Sequence, residues 1–390
     1  MSSKNRTYLL LFCIIFFNVG IMFCMNDILF PILKEYFKLS FLETTLIQVS
    51  FYAVYVIWPL PIAKSVEKYG YKKNIFAFLI FCLTGCLLFI PAFYLKSYPL
   101  VLLSIFTLST GITIANVVAN PYVTLLGDPA KSHMRLNLVQ AMSRVGYAIT
   151  PIFASSIIYL TSATEPSFHF PYLVLSVMLL VTIGVLFAGN IPDIKTTQSS
   201  KITLITIVRE AKFHRRLLFG VVTLFFYMGV ESCTAGFYIS YFLEKSYSQA
   251  QAATGLTLYY VLAASFALLG AYLLTRFSAG KILTFFGIGM AICLVLTMLS
   301  LPHVSVVALT LAGGFLSVMF PTIFSLSIEG VGSFTEKGSV LLNFAIVGGA
   351  IFPPLQGLIA DSFGISVSYV VPLTCSMVVI AFGYLTYMKK

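Results

Sequence analysis

The stretch "YLLLFCIIFFNVGIMF", residues 8–23, runs on without a single charged side chain. Similar runs recur along the whole chain, each close to the about 20 residues that a helix needs to cross a hydrocarbon layer about 30 Å thick. Of the 390 residues, 59% are hydrophobic and only 9% are charged, whereas a soluble domain averages roughly 25% charged residues. The composition predicts a polytopic membrane protein.

These runs favour helices over a β-barrel. Lipid offers the backbone no hydrogen-bond partners, so only helices and closed barrels can span it. The runs lack the alternation of apolar and polar residues over about ten positions that is typical of a barrel strand. We predict an all-α integral membrane protein with twelve transmembrane helices, at 8–33, 41–63, 74–95, 98–126, 134–160, 170–190, 217–243, 252–275, 281–300, 303–328, 338–361 and 365–388.

One long polar connection divides these helices into two sets of six. The segment "IPDIKTTQSSKITLITIVREAKFHRR", residues 191–216, is predicted to be an amphipathic cytoplasmic linker. The domains that follow are an N-terminal six-helix bundle at 1–190 and a C-terminal six-helix bundle at 217–390.

The basic residues predict the orientation. With both termini in the cytoplasm, nineteen of the 24 lysines and arginines lie on the inner side and four on the outer side, which is a strong positive-inside bias. The net charge of +11 then follows from topology and gives no reason to expect nucleic acid. A basic inner surface suits the anionic head groups of the lipid bilayer.

Cysteine and histidine usage argues against an enzyme. All seven cysteines fall within predicted helices and the four histidines fall in loops or at helix ends. A disulfide framework is not expected, and no metal-ligand cluster or catalytic arrangement is visible. We expect neither a metal nor a cofactor.

Three charged residues fall inside predicted helices, where a charge costs about 2.5–3.5 kcal/mol and usually marks a functional site. Asp27 could carry a proton, or it could be a helix-end carboxylate wetted from outside. Glu231 lies among small residues, so it is either a second acid in a cavity or part of a packing seam. Both acids are candidates for proton coupling.

Arg144 lies within the fifth predicted helix. A guanidinium stays charged, so it needs an anion: Glu231, Asp27, or a substrate carboxylate bound in a bidentate manner. Snorkelling to the cytoplasmic face is the remaining alternative. These readings stay open from the sequence alone.

Uncharged polar side chains recur beside these positions. Some would stabilise contacts between helices at about 0.6 kcal/mol each, whereas others could line a hydrated cavity and bind a polar ligand. The candidate substrate contacts are Asn26, Gln48, Tyr52, Asn116, Asn137, Gln140 and Asn343.

Several stretches resemble known transporters. "AKSVEKYGYKK", residues 63–73, is similar to the loop motif between the second and third helices of the major facilitator superfamily, with Ala63 in place of its leading glycine. The motif positions are Glu67, Lys68, Gly70, Lys72 and Lys73.

The fucose/proton symporter (glucose/galactose transporter) family resembles this chain more closely. Stretches from both halves match it in order: "NDIL" (26–29), "LIQVSFYAVY" (46–55), "ANPYVTLLG" (119–127), "HMRLNLVQ" (133–140), "MFPTIFSLSIEGVG" (319–332) and "GGAIFPPLQGLIAD" (348–361). The resemblance implies the major facilitator fold, two six-helix bundles around a central cavity with alternating access. It also implies proton-driven uptake, with Asp27 in proton coupling and Gln140 at the sugar site.

Three positions depart from the family pattern. Asn116 replaces an expected glutamate and cannot carry a proton. Ser143 and Arg144 replace an asparagine–serine pair, which puts a fixed cation where a neutral sugar would bind. Trp58 is the single tryptophan, so a second indole is missing as a sugar platform.

We therefore expect a secondary active transporter that takes up a small polar solute with protons as the coupling ion. The cation of Arg144 favours a carboxylated substrate, either a sugar-like compound or a hydroxycarboxylate. Examples are a sugar acid and a carboxylate siderophore. The alternatives are a neutral-sugar/proton symporter and a proton-antiport exporter of amphipathic compounds. We expect a monomer in a bacterial inner membrane.

Overall fold

The computed structural model describes residues 3–126, 132–160, 167–189, 214–301, 303–331 and 335–388. Regular structure in these ranges is helical, as the composition predicts. The first set of helices is α1 Ser3–Tyr36, α2 Phe41–Thr44, α3 Leu46–Tyr52, α4 Val54–Ile57, α5 Pro59–Tyr94, α6 Tyr98–Leu125, α7 Ser132–Leu160 and α8 His169–Gly189. The second set is α9 Arg215–Gly236, α10 Tyr238–Glu244, α11 Gln249–Leu274, α12 Ala279–Met298, α13 Val304–Leu316, α14 Met319–Ile328, α15 Thr335–Phe344, α16 Gly348–Phe363, α17 Ile365–Ser368 and α18 Val370–Met388.

The described helices account for the predicted membrane spans. Ten of them, counting adjoining pieces together, are long and apolar enough to cross a membrane. The fifth predicted span is α7, and the second is formed by the short helices α2 to α4 with the start of α5. Helix α5 contains the end of the second span together with the third. The non-helical backbone of Gly70 (φ 78°) separates the two. The fold is therefore that of an all-α membrane protein with twelve spans.

Several spans consist of two or more shorter helices, and proline explains three of the breaks. A proline inside a helix removes the hydrogen bond to the carbonyl four residues earlier. Pro321 thus separates α13 from α14 near Ser317, and Pro372 separates α17 from α18 near Ser368. Pro59 and Pro61 follow the end of α4.

Packing groups the chain into two compact units. The first comprises Met1–Lys38 and Ala53–Ser200, and the second comprises Leu39–Tyr52 and Lys201–Lys390. The first part of the second predicted span, up to Tyr52, therefore packs with the second unit. The predicted linker at 191–216 lies outside the described residues up to position 213, and the helix after it begins at Arg215. The domain division at this linker stays a prediction.

The first unit is held together by close contact between α1 and α7. A Cβ atom built on Gly146 would lie 2.5 Å from the Phe17 carbonyl oxygen, and one on Gly20 would overlap the Ser143 carbonyl. Lipid tails give no hydrophobic drive to helix association, so small residues that let backbones approach are what stabilise such pairs. A buried bond from the Asn18 Nδ2 to the Thr182 Oγ1, 3.2 Å long, ties α1 to α8.

The second unit repeats this arrangement. A Cβ atom on Gly348, at the start of α16, would overlap the Phe225 carbonyl of α9. Gly280 of α12 lies equally close to α18, where a Cβ atom would be 2.8 Å from the Gly383 carbonyl oxygen. In both units a glycine therefore lets one helix rest directly on the backbone of another.

Gly146→Ala is expected to destabilise the protein by about 1–3 kcal/mol, because the added methyl group forces α1 and α7 apart. The midpoint of thermal unfolding in detergent measures the loss. Gly184→Ala is the matched control, since a Cβ atom there meets nothing within 4 Å. Equal midpoints for the two variants would contradict the proposed role of the contact.

Candidate substrate and proton site

Asp27 lies deep in α1. Its side chain is 9% exposed and that of the adjacent Asn26 is 5% exposed. Pro31 follows inside the same helix and cannot donate to the Asp27 backbone carbonyl, so the helix is locally weakened at the carboxylate. Asp27 lies two helical turns beyond Gly20, the point of closest contact with α7.

Arg144 lies beside that contact on α7. Its guanidinium carbon is 5.9 Å from the centre of the Tyr147 ring, and the Tyr147 ring lies 5.4 Å from that of Phe23. Phe23 is one turn before Asp27, so two aromatic rings connect the neighbourhoods of the cation and the acid. Arg144 itself is exposed.

Asn116, the residue that replaces the expected glutamate, contacts another polar side chain. Its Nδ2 donates to the Tyr55 hydroxyl at 3.3 Å, which joins α6 to α4. Tyr55 is 6% exposed and Asn116 is half-buried. This amide and phenol present neutral hydrogen-bonding groups of the kind that recognise hydroxyl groups.

Two further residues of α7 differ sharply in their surroundings. Gln140 is exposed, whereas Arg135 is 3% exposed and its Nε donates to the Val123 carbonyl at 3.1 Å. Val123 belongs to the last turn of α6, and its carbonyl also accepts the Leu126 N–H at 3.3 Å. Sequence reasoning placed Arg135 at the inner surface and missed this buried role. The side chain of Asn137 lies outside the described residues.

The other predicted contacts lie in the second unit. Gln48 is 1% exposed and Tyr52, one turn later on α3, is 4% exposed. A Cβ atom on Gly236 would lie 2.6 Å from the Gln48 Nε2, and one on Gly349 would lie 2.8 Å from the Tyr52 ring. Neither amide atom of Gln48 has a hydrogen-bond partner among the described residues.

Glu231 of α9 is half-buried and Asn343 of α15 is exposed. Two tyrosines of the same unit use their hydroxyl groups inside the protein. The Tyr238 hydroxyl lies 2.6 Å from the Thr310 Oγ1, and the Tyr241 hydroxyl donates to the Thr297 carbonyl at 2.8 Å. These two phenols therefore belong to the packed interior.

The loop motif forms a tight turn. Gly70 has φ 78°, a conformation that glycine adopts without a Cβ clash. The Asn74 Nδ2 donates to the Gly70 carbonyl at 2.7 Å, and Asn74 accepts at its Oδ1 from the Ser65 hydroxyl at 2.7 Å. Sequence reasoning did not single out Asn74. Of the other motif positions, Lys72 is half-buried and the exposed ones are Glu67, Lys68 and Lys73.

Comparison with known proteins adds the family. Residues 10–341 match the model of the Major Facilitator Superfamily. A glucose/galactose transporter of Brucella abortus (strain 2308) is 34% identical over 395 residues, covering 98% of this chain and 95% of the relative. The L-fucose-proton symporter of Escherichia coli (strain K12) is 29% identical over 414 residues, covering 98% and 94%. The crystal structure of FucP in the outward conformation matches with a TM-score of 0.72 and 26% identity, covering 98% of this chain and 99% of the other.

The two arginines of α7 provide a test of which cation is structural. Arg135→Gln is expected to lower the free energy of unfolding by about 1–3 kcal/mol, because the buried Val123 carbonyl loses a donor. The free energy of unfolding of Arg144→Gln is expected to lie within about 1 kcal/mol of that of the unmodified protein, since Arg144 is exposed and a cation–π contact at an exposed site contributes no more than that. Thermal unfolding in detergent compares them, and a larger loss for Arg144→Gln would make Arg144 the structural residue.

Proposed function

The chain belongs to the Major Facilitator Superfamily, and from this we propose that it takes up a neutral sugar together with a proton. It is a multi-pass membrane transporter and not an enzyme. The observation that carries the proposal is the likeness to sugar transporters along 98% of the chain, combined with a buried carboxylate in α1 at Asp27. Hexoses and 6-deoxyhexoses are the substrate class that the names of these relatives suggest.

The carboxylated substrate suggested by Arg144 is not supported. The relatives are named for glucose, galactose and L-fucose, which carry no charge. Arg144 stands over the ring of Tyr147 and is exposed. We infer that its donors can serve sugar hydroxyl groups, because a guanidinium offers five N–H groups and no acceptor. The likeness to symporters also disfavours the exporter reading.

Asp27 is the proposed proton carrier. A carboxyl group in poorly solvated surroundings favours its neutral form, and access to water from one side or the other lets it take up or release a proton. Asn116 cannot titrate, so Glu231 is the remaining candidate for a second acid. The proposed sugar contacts are Asn26, Gln48, Tyr52, Asn116, Asn137, Gln140, Arg144 and Asn343.

The surroundings of the transporter are also proposed. The positive-inside bias supports cytoplasmic termini, and the bacterial relatives support an inner membrane. The coupling ion would be the proton, and the protein would act as a monomer. Alternating access of a central site would follow from the fold.

Asp27→Asn is expected to abolish accumulation of sugar driven by a proton gradient in proteoliposomes, because the amide cannot carry a proton. Exchange of labelled for unlabelled sugar, which needs no net proton movement, is expected to survive. Glu35→Gln is the matched control, since Glu35 lies on the same helix and is exposed. Gradient-driven accumulation by Asp27→Asn would rule out Asp27 as the proton carrier.

A substrate panel tests the neutral-sugar proposal. Glucose, galactose and L-fucose are expected to compete for uptake, and galacturonate is expected to compete weakly or not at all. Arg144→Gln is expected to weaken the affinity for the neutral sugars without changing their order. If the protein took up galacturonate but none of the neutral sugars, and Arg144→Gln lost this uptake, the proposed substrate would be a sugar acid and not a neutral sugar.

A further inference from the structure

Asp361, at the end of α16, binds the beginning of a distant helix. The Phe41 N–H donates to its Oδ1 at 2.7 Å, and the Leu42 N–H donates to its Oδ2 at 2.8 Å. Phe41 and Leu42 belong to Leu39–Tyr52, which packs with the second unit. We call Leu39–Tyr52 the docked segment. Each carboxylate oxygen therefore receives one backbone N–H from the docked segment.

Asp361 supplies acceptors for two N–H groups that have no acceptor within the docked segment. The first N–H groups of a helix have no partner within the helix. The Ser40 N–H donates to the Glu43 Oε2 at 2.8 Å, and the Glu43 N–H donates to the Ser40 hydroxyl oxygen at 3.1 Å. This local capping box leaves the N–H groups of Phe41 and Leu42, which are the two that Asp361 binds.

Further contacts hold the docked segment in place. The Phe41 ring stacks on Phe237 with ring centres 5.8 Å apart. A Cβ atom on Gly357, one turn before Asp361 on α16, would lie 2.9 Å from the Leu42 Cα. The absence of a side chain at this position thus lets the two backbones meet beside the carboxylate.

The docked segment also contains a feature that opposes docking. The side-chain amide of Gln48 is 1% exposed, and both of its polar atoms lack a hydrogen-bond partner among the described residues. An unpaired buried amide is destabilising, because it gives up its bonds to water. The Asp361 bonds therefore stabilise the docked arrangement, and the burial of the unpaired Gln48 amide destabilises it.

The docked segment ends where the packing changes from the second unit to the first. It ends at Tyr52, and Ala53 onwards packs with the first unit, although both parts come from one predicted membrane span. Ala53, between α3 and α4, keeps helical backbone angles (φ −57°, ψ −30°), so the change of packing unit falls within a helical stretch. A span shared between two packing units is the place where a conformational change would bend the chain.

We propose that Asp361 is a gating residue: its two bonds hold the docked segment against α16 and set how often the segment is released, and we call the released arrangement the open state. The proposal rests on the transport function proposed above. A binding-competent state populated only in part reduces apparent affinity by that fraction. Weakening the Asp361 bonds therefore populates the open state, and removing the unpaired amide of Gln48 depopulates it.

The test uses a cysteine as reporter of opening in purified protein without substrate. Thr45→Cys places a thiol at a position that is 0% exposed, and its modification by a maleimide requires the docked segment to open. The native cysteines of the described chain are buried and give the background rate. Adding Asp361→Asn is expected to raise the modification rate about tenfold, equivalent to about 1.4 kcal/mol.

Glu43→Gln is the matched control. It weakens the capping box of the same helix and keeps the Asp361 carboxylate, so it is expected to leave the modification rate within about twofold of the reporter alone. An equal acceleration by Glu43→Gln and Asp361→Asn would mean that only local helix fraying is measured, and the proposal would be overturned. An unchanged rate in Asp361→Asn would overturn it as well.

Two further measurements keep the proposal testable if Asp361→Asn folds poorly. Gln48→Leu leaves the carboxylate intact and is expected to slow modification of the reporter; acceleration would contradict the proposed balance. In uptake assays Asp361→Asn is expected to lower the KM for external sugar, an effect that a merely structural residue would not produce. An unchanged or raised KM would assign Asp361 to stability alone. Because modification is measured without sugar, failure of the gate and failure of the proposed substrate remain distinguishable.

Discussion

Direct contact between helix backbones is the constraint on which the rest of the structure depends. In lipid, burial of apolar side chains does not drive helices together, so association relies on close packing and on hydrogen bonds between helices. Gly146 and Gly348 provide that contact in the first and second units, each against a phenylalanine carbonyl of the partner helix. Asp27 and Arg144 are positioned by the first of these pairs, because both lie within two turns of the glycine contact.

Polar side chains in this frame fall into two groups. Some bond to a side chain of another helix, such as Asn18 with Thr182 and Tyr238 with Thr310, and these tie helices together. Gln48 is buried without a partner among the described residues. Buried polar groups are normally satisfied, so an exception at a predicted substrate contact is a reason to connect that position with function.

The interrupted helices connect packing with transport. Pro321 and Pro372 break spans of the second unit because each removes a backbone hydrogen bond, and Ala53 separates two helices that pack with different units. Interruptions of this kind are tolerated in a membrane where neighbouring helices or water satisfy the freed groups. They also supply the points at which a transporter can bend without unfolding.

The sequence by itself determined the membrane class, the helical fold and the number of spans, because these depend on composition and on the length of the apolar runs. It also identified Asp27 as an intramembrane acid and the family through short motifs. It could not place Arg135, whose side chain is buried against a neighbouring helix, or assign the residues before Tyr52 to the second unit. Those features depend on contacts between distant positions, such as the bond from Phe41 to Asp361 across 320 residues. Only the tertiary structure decides such contacts, since neither residue alone carries a local signal for the other.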